Sequence, residues 1–544
     1  MGSTRATPRP LSRELPPAVI FAVIFFCLEL LHAPLLRLPY IWDEAGYYVP
    51  AARDLLLDGS LIPHSTISNA HPPLVMAWLA LWWKIAGYTP VVTRTVMLLV
   101  ASFTLLGVFR LARRVADAEV AIASTICTAL YSVFFTQSSL AHLDMAAAGF
   151  TLWGLRSHLD DRRTTTVIWF SLAALAKETA ILAPVALLAW ELLCPWLSRR
   201  CKGESWCLFP RSGWRSASLL APVLPLAIWF SYHYLRTGYV FGNPEFFRYN
   251  VSATLHPLRV TLAAGMRIWQ LVGYMHLYLL TIATGLAMFR PAQRDGAGER
   301  PRIGIPVQLV FLVVTLAYVA AMAMVGGAVL ARYMLPVVPL VIIVCVSTLW
   351  RRVRYWRAVV AIVALVFVAA LFVNPPYGFS FEDNLAYRDY ILLHKNAEVF
   401  LEARYPMARV LTAWPASDEV SRPYLGYVSR PMRVVRIEDF SLEQVAAASD
   451  LRSRFDLALV FSTKYQPPRP LLPNWPAWEQ TKTRFFGFHR DLPPAAAAQI
   501  LGGEIIYSAA RNGQWIAVIE MGRVVDAKAC VQIPCRVPPM SDNP

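Results

Sequence analysis

Asp43 and Glu44 stand side by side in YIWDEAGYY, Tyr40 to Tyr48, directly after a long apolar run. Five more ionisable residues occupy similar places, where an apolar run meets a polar connection: His71 in HPPL, Asp144 in AHLDM, Lys177 and Glu178 in AKET, and Arg332 in ARYMLP. Charges so close to hydrocarbon are costly, and they collect where they can share a polar cavity. Carboxylates and cations around one cavity suit a definite chemistry. One carboxylate, such as Asp43, takes the proton of an acceptor hydroxyl as general base. Lys and Arg neutralise a phosphate that leaves from a sugar, Arg through a planar fork and Lys as a point charge. A phosphate is already a good leaving group, so one base and a cationic clamp are enough. Glu44, the neighbour of Asp43, then serves to orient it or to bind a divalent cation.

Whether these residues can meet depends on the elements that carry them. The chain has 544 residues, 56% hydrophobic and only 16% charged, too little polar surface for an ordinary soluble protein; it reads as an α-helical polytopic membrane protein. A helical crossing needs about 20 apolar residues. Apolar runs near 16–36, 94–112, 118–136, 143–159, 165–180, 181–195, 216–235, 264–289, 305–325, 334–350 and 357–374 predict about eleven spans, those within 165–195 being short for two crossings. No small-residue cleavage site follows the first run, which is read as a retained span and not a signal peptide. Cationic clusters recur at every second connection: Arg5, Arg9 and Arg13 at the start, then Arg110, Arg113 and Arg114, and later Arg351, Arg352, Arg354 and Arg357 among others. The positive-inside rule puts them in the cytoplasm. The connections 37–93, 137–144, 176–181, 236–262 and 326–333 then face outward, and they hold all seven ionisable residues. The net charge of +16 is on this reading a matter of topology, and no nucleic-acid partner is expected.

The outer loop 37–93 shows helical patterns near 48–57 and 74–85, expected to lie along the interface with Trp78, Trp82 and Trp83 in an aromatic belt. At Asn374-Pro-Pro-Tyr-Gly the texture changes, and the rest mixes short β-like runs with polar helices. The expected organisation is a cytoplasmic N-terminus (1–15), a multi-span membrane domain (16–374) and a soluble α/β domain (375–544), which the odd number of spans puts outside. Strands are expected at 409–413, 433–437, 456–461 and 513–521, with a helix over 442–455. Cys194, Cys201 and Cys207 fall in a connection expected inside, where thiols stay reduced; without a paired CxxC they do not read as a zinc site. Cys530 and Cys535 are either two free thiols or a disulfide.

The DE pair in the first outer loop, HPPL about thirty residues on, the LD of AHLDM, the AKE turn and RYMLPVVPL, in this order and topology, resemble the GT-C superfamily of membrane glycosyltransferases. The resemblance covers roughly 19–373 and lies nearest the protein O-mannosyltransferase and lipid A aminoarabinose transferase branch. It implies a polyprenyl-monophosphate sugar as donor, a lipid, glycan or protein acceptor, an outward-facing site and inversion at the anomeric carbon; scarce lysine beside abundant arginine suggests a bacterium, and so an inner membrane. Carried over by position, Asp43 matches the catalytic acid, Glu44 its neighbour and Asp144 the second outer acid. Lys177 and Arg332 match basic positions near the donor phosphate, with His71 beside them. His71 departs from the aminoarabinose branch, which carries Lys before Pro-Pro, and matches the mannosyl branch.

Two features point elsewhere. Glu29 and His32 share one side of the first span and are expected to satisfy each other against a neighbouring helix. A transporter that relays ions through Glu29, Asp144 and Lys177 is the alternative reading, although no internal repeat supports it and the acids cluster at one face. Asn250-Val-Ser252 is a glycosylation sequon of little meaning in a bacterium.

Overall fold

Thr89 and Pro90 begin the longest helix among the described residues, Pro90–Val115, because the Thr89 side chain accepts the Val92 N–H at 3.3 Å and proline needs no donor in a first turn. Arg113 and Arg114 close it, cations in the last turn opposing the partial negative charge of the carbonyls. Asp117 caps the next helix, Ala118–Leu130, in the same way. The computed structural model describes residues 15–200, 206–209, 213–296, 298–467 and 475–522. Arg5, Arg9, Arg13, Cys201, Cys530 and Cys535 lie outside the described residues.

Five described helical segments are long and apolar enough to cross a membrane: Pro17–Leu35, Pro90–Val115, Glu178–Arg199, Ser216–Thr237 and Ile305–Met324. A pair bent by 98°, Pro257–His276 and Tyr278–Met288, makes a sixth if it is one span, while Leu74–Ala86, Ala118–Leu130 and Trp356–Ala370 are apolar but shorter. Several of the eleven apolar runs are thus short or broken as helices. The run 118–136 breaks at Tyr131, whose backbone is extended in ψ, and the run 165–195 breaks at Lys177. Large apolar side chains such as Phe26, Leu30, Leu235 and Phe289 are exposed, as a surface facing acyl chains requires.

Small residues set the packing of the helices behind the site. A Cβ on Gly149 would lie 2.4 Å from Thr104 Oγ1, and one on Gly154 would lie 2.6 Å from the Phe170 ring. Helix Leu143–Leu159 therefore sits close against both Pro90–Val115 and Arg163–Ala176, as small residues allow between membrane helices. Trp83, expected in an interfacial belt, is instead buried and donates its indole N–H to Thr93 Oγ1 at 2.9 Å. Helix Leu74–Ala86 owes this to its two faces: Val75, Met76, Leu79, Ala80 and Trp83 are buried while Leu81 and Ile85 are exposed. Glu29 and His32 do not satisfy each other either. His32 bridges the Leu28 and Phe135 carbonyls at 2.9 Å each, and Glu29 accepts from Thr95 Oγ1 at 2.9 Å. Cys194 and Cys207, expected as reduced thiols, are joined in a disulfide.

By its contacts the chain divides into two units, one of 1–392 with 464–488, the other of 393–463 with 489–544. The division falls inside helix Ala386–Arg404, later than the change of texture at 374. The second unit is built on a five-stranded sheet: β1 (Arg409–Ala413), β2 (Arg433–Ile437), β3 (Leu457–Phe461), β4 (Gly503–Arg511) and β5 (Gln514–Met521), in the order β2-β1-β3-β5-β4. β1 pairs in parallel with β2 and β3, and β5 is antiparallel to β3 and β4. The central β3, LALVF, is buried throughout, which is why it reads as a continuous apolar run. Four of the five strands match the expected ones. The expected helix at 442–455 is shorter, Leu442–Ser449, followed by a 3-10 turn at Arg452–Arg454.

Candidate active site

The backbone kinks just before the paired acids. Trp42 has φ of 50°, a conformation that a bulky side chain seldom takes, and its ring meets Tyr390 edge-on at 5.7 Å. A π-turn over Glu44–Tyr48 follows, an arrangement that costs regular hydrogen bonding and recurs at functional sites. The two neighbours consequently point to different surroundings.

Glu44 is fully buried. Arg94 grips both its oxygens, through Nη2 at 2.9 Å from Oε2 and through Nη1 on Oε1, and the N–H groups of Ile41 and Ala141 donate to the same carboxylate. Arg94 also donates to the Pro39 and Ser139 carbonyls, at 3.0 and 3.1 Å. The clasp ties the first loop to the connection 138–142, and so to Asp144 in the first turn of helix Leu143–Leu159. Sequence reading grouped Glu44 with the reacting acids; the structure closes it off on all sides.

Asp43 reaches Arg332. This arginine, itself 2% exposed, lies on the 3-10 turn Ala331–Met334 and meets three carboxylates: Nη2 pairs with Asp43, Nη1 with Glu382, and Nε faces Asp144 Oδ2 at 3.4 Å. Asp144 Oδ1 accepts from Lys177 Nζ at 2.6 Å. Lys177 holds an extended conformation at the break between helices Arg163–Ala176 and Leu182–Arg200, and its ammonium lies 4.1 Å from the centre of the Tyr333 ring. His71 follows Ala70, which has φ of 59°, and its Nδ1 is 2.8 Å from Glu178. Its ring does not cap helix Leu74–Ala86; it lies 5.9 Å from that of Tyr48, which in turn is 5.8 Å from His142. Asp43, Asp144, Lys177 and Arg332 thus form one continuous ionic network, while His71 belongs to a neighbouring pair. Glu29, bonded to Thr95, is not among the network's contacts.

The side chain of Asp43 is 19% exposed, against 3% for Asp144 and 4% for Glu382. It is the most exposed acid of this network. Three carboxylates share two cations, Arg332 and Lys177, so the cations cannot neutralise all three. Burial accordingly pushes Glu382 above the usual carboxylate range despite Arg332, and Asp383 up to about 6 despite the Tyr274 hydroxyl, which donates to it at 2.6 Å. His142 is held well below the usual imidazole range by burial and by the charge of Arg332.

Glu382 and Arg94 were missed in the sequence. Glu382-Asp383 is a second pair of adjacent acids beyond the last apolar run, and Arg94 is a cation at the edge of one. Both signals were present. What combines at the site is a carboxylate at an opening, a buried guanidinium fork and an ammonium, a set able to accept a proton and bind a phosphate.

Residues 70–229 match the family model for dolichyl-phosphate-mannose-protein mannosyltransferase. Among solved structures, the crystal structure of ArnT from Cupriavidus metallidurans bound to undecaprenyl phosphate aligns with a TM-score of 0.53 at 12% identity, covering 92% of this chain and 97% of that one. The Archaeoglobus fulgidus oligosaccharyltransferase in complex with Zn and sulfate aligns with a TM-score of 0.43 at 12% identity, covering 82% and 68%. No curated protein matches the chain by sequence. The chain thus shares the fold of ArnT, and its segment 70–229 carries the sequence pattern of the mannosyltransferase family model.

Proposed function

We propose that the protein moves a sugar from a polyprenyl-monophosphate carrier to an acceptor hydroxyl at the outer face of a bacterial inner membrane, with inversion at the anomeric carbon. The observation that carries this reading is the ionic network itself, in which Arg332 pairs with its most open carboxylate, Asp43, and Lys177 joins through Asp144. An arriving phosphate competes with Asp43 for the Arg332 fork. Once displaced, Asp43 takes the acceptor's hydroxyl proton. The acceptor oxygen bonds to the anomeric carbon as the bond from that carbon to the phosphate oxygen breaks. The bonding pair leaves with the polyprenyl phosphate, whose added negative charge Lys177 and Arg332 stabilise. Asp144 aims both cations, Glu44 fixes the loop through Arg94, and His71 lines the approach from its pair with Glu178. The bond exchange is complete without further co-reactant, and a divalent cation beside the acids is compatible with it.

The matched mannosyltransferase segment and the undecaprenyl phosphate bound to ArnT favour a polyprenyl-phosphate donor. Purified protein incubated with a panel of polyprenyl-phosphate sugars should release or transfer sugar from at least one, and Asp43→Asn should lose this turnover by about 100-fold or more. Equal donor consumption by the native protein and Asp43→Asn would overturn the assignment of the base.

A further inference from the structure

The second unit contains a buried polar cluster that the sugar chemistry does not use. His394 and Glu398 stand one turn apart on helix Ala386–Arg404, and Glu419 ends the short helix Ala416–Glu419 that follows β1. None of the three side chains is more than 2% exposed. His394 Nδ1 lies 2.6 Å from Glu419 Oε2 and 3.7 Å from Glu398 Oε1. One nitrogen and two carboxylate oxygens lie within 4.8 Å of one another. Neither oxygen of Glu398 has a hydrogen-bond donor, and Glu419 Oε1 has none either. Phe461 packs edge-on against His394 at 4.5 Å and Phe440 lies against Phe461, so one side of the cluster is apolar.

Buried carboxylates are normally saturated with donors. Two facing each other without donors require a positive charge between them, either a shared proton or a cation. We propose that His394, Glu398 and Glu419 form a binding site for one divalent transition metal of the zinc class. The donor set is one imidazole nitrogen and two carboxylates, a combination zinc accepts, with ligand lengths of about 2.0–2.2 Å. Ligands on one tetrahedral ion at such lengths lie roughly 3.3 Å apart, so the His394–Glu419 pair at 2.6 Å must open and the His394–Glu398 pair at 3.7 Å must close, each by a fraction of an ångström. Calcium requires six to eight oxygens, and magnesium keeps its waters; a nitrogen donor in a closed apolar setting favours zinc. The ion would tie helix Ala386–Arg404 to the segment that leaves β1.

The test uses full-length protein purified in detergent without chelator. Its metal content is measured by mass spectrometry, then it is stripped with EDTA and titrated with Zn²⁺. Compared are the native chain, the isosteric Glu398→Gln, His394→Gln, and Glu443→Gln as an exposed control. The native chain and the control should hold about one zinc per chain more than either ligand variant, and EDTA should lower the melting temperature of those two only. Equal zinc in native protein and Glu398→Gln, or a native melting temperature that EDTA leaves unchanged, overturns the site. A shared proton alone would be recognised by a Glu398→Gln variant at least as stable as the native chain and no richer or poorer in zinc. Should Glu398→Gln fail to fold, His394→Gln and the EDTA response of the native protein decide the matter.

Discussion

At the scale of single residues, two adjacent acids have been given opposite surroundings, and the contrast is testable. Glu44→Gln leaves the buried Arg94 guanidinium without its ionic partner, so it should cost about 3–5 kcal/mol in stability, read as a fall in melting temperature in detergent. Asp43→Asn should leave that temperature nearly unchanged while abolishing turnover, because Asp43 is the partly exposed member. The acids beyond the last apolar run give a dependence on pH. Asp383 is pushed up to about 6 by burial, and Glu382 is raised by the same cause. An acid whose folded state holds its proton more tightly than the unfolded chain does contributes stability that is full at low pH and is lost as pH rises through its folded value. Stability should therefore decline between about pH 4 and 6 from Asp383, and further above that from Glu382. Asp383→Asn should remove the lower part of the slope in melting experiments across that range; an unchanged slope would sink the account.

At the scale of elements, the site depends on helices brought close by glycine. Gly154→Leu drives a side chain into the buried Phe170 ring, and overpacking of this kind costs about 1–3 kcal/mol. Thermal unfolding should show that loss. Activity at a temperature well below unfolding should fall as well, since the same helix carries Asp144. The elements were legible in the sequence to different degrees. β3 was readable because a buried strand is a continuous run of β-branched and apolar residues. β4, GEIIYSAAR, was not, because its glycine, serine and alanines dilute the pattern and it lies at the edge of the sheet. Trp83 misled because tryptophan serves equally at an interface and in a core, and only the facing Thr93 decides which. Composition could not reveal that Glu382 returns to the membrane unit, since that proximity is made by the chain's path after 374. The DE, LD, AKE and RY signals were legible individually; their meeting around one arginine is a property of the fold.

At the scale of the whole molecule, the side of the membrane on which each connection lies is read by labelling. The positive-inside rule predicts the connection around 199–215 inside, whereas the Cys194–Cys207 disulfide suits an oxidising compartment. Single cysteines at Leu61 and at Arg352, introduced into a cysteine-depleted background, should separate the possibilities. A membrane-impermeant maleimide applied to intact cells should label position 61 and spare position 352. The reverse pattern would remove the outward-facing site and the donor scheme with it.

The sharp bend between Pro257–His276 and Tyr278–Met288 bears on the order in which the protein is made. At the bend Met275 and His276 adopt positive φ, the Met275 N–H donates to the Tyr377 hydroxyl at 3.0 Å, and Tyr274 donates to Asp383. Both partners are synthesised about a hundred residues later. Until the ribosome has released them, the corner lacks its native hydrogen-bond partners. A nascent chain halted near 373 should accordingly hold this hairpin loosely and be cut there by protease, and become resistant once Asp383 has left the ribosome.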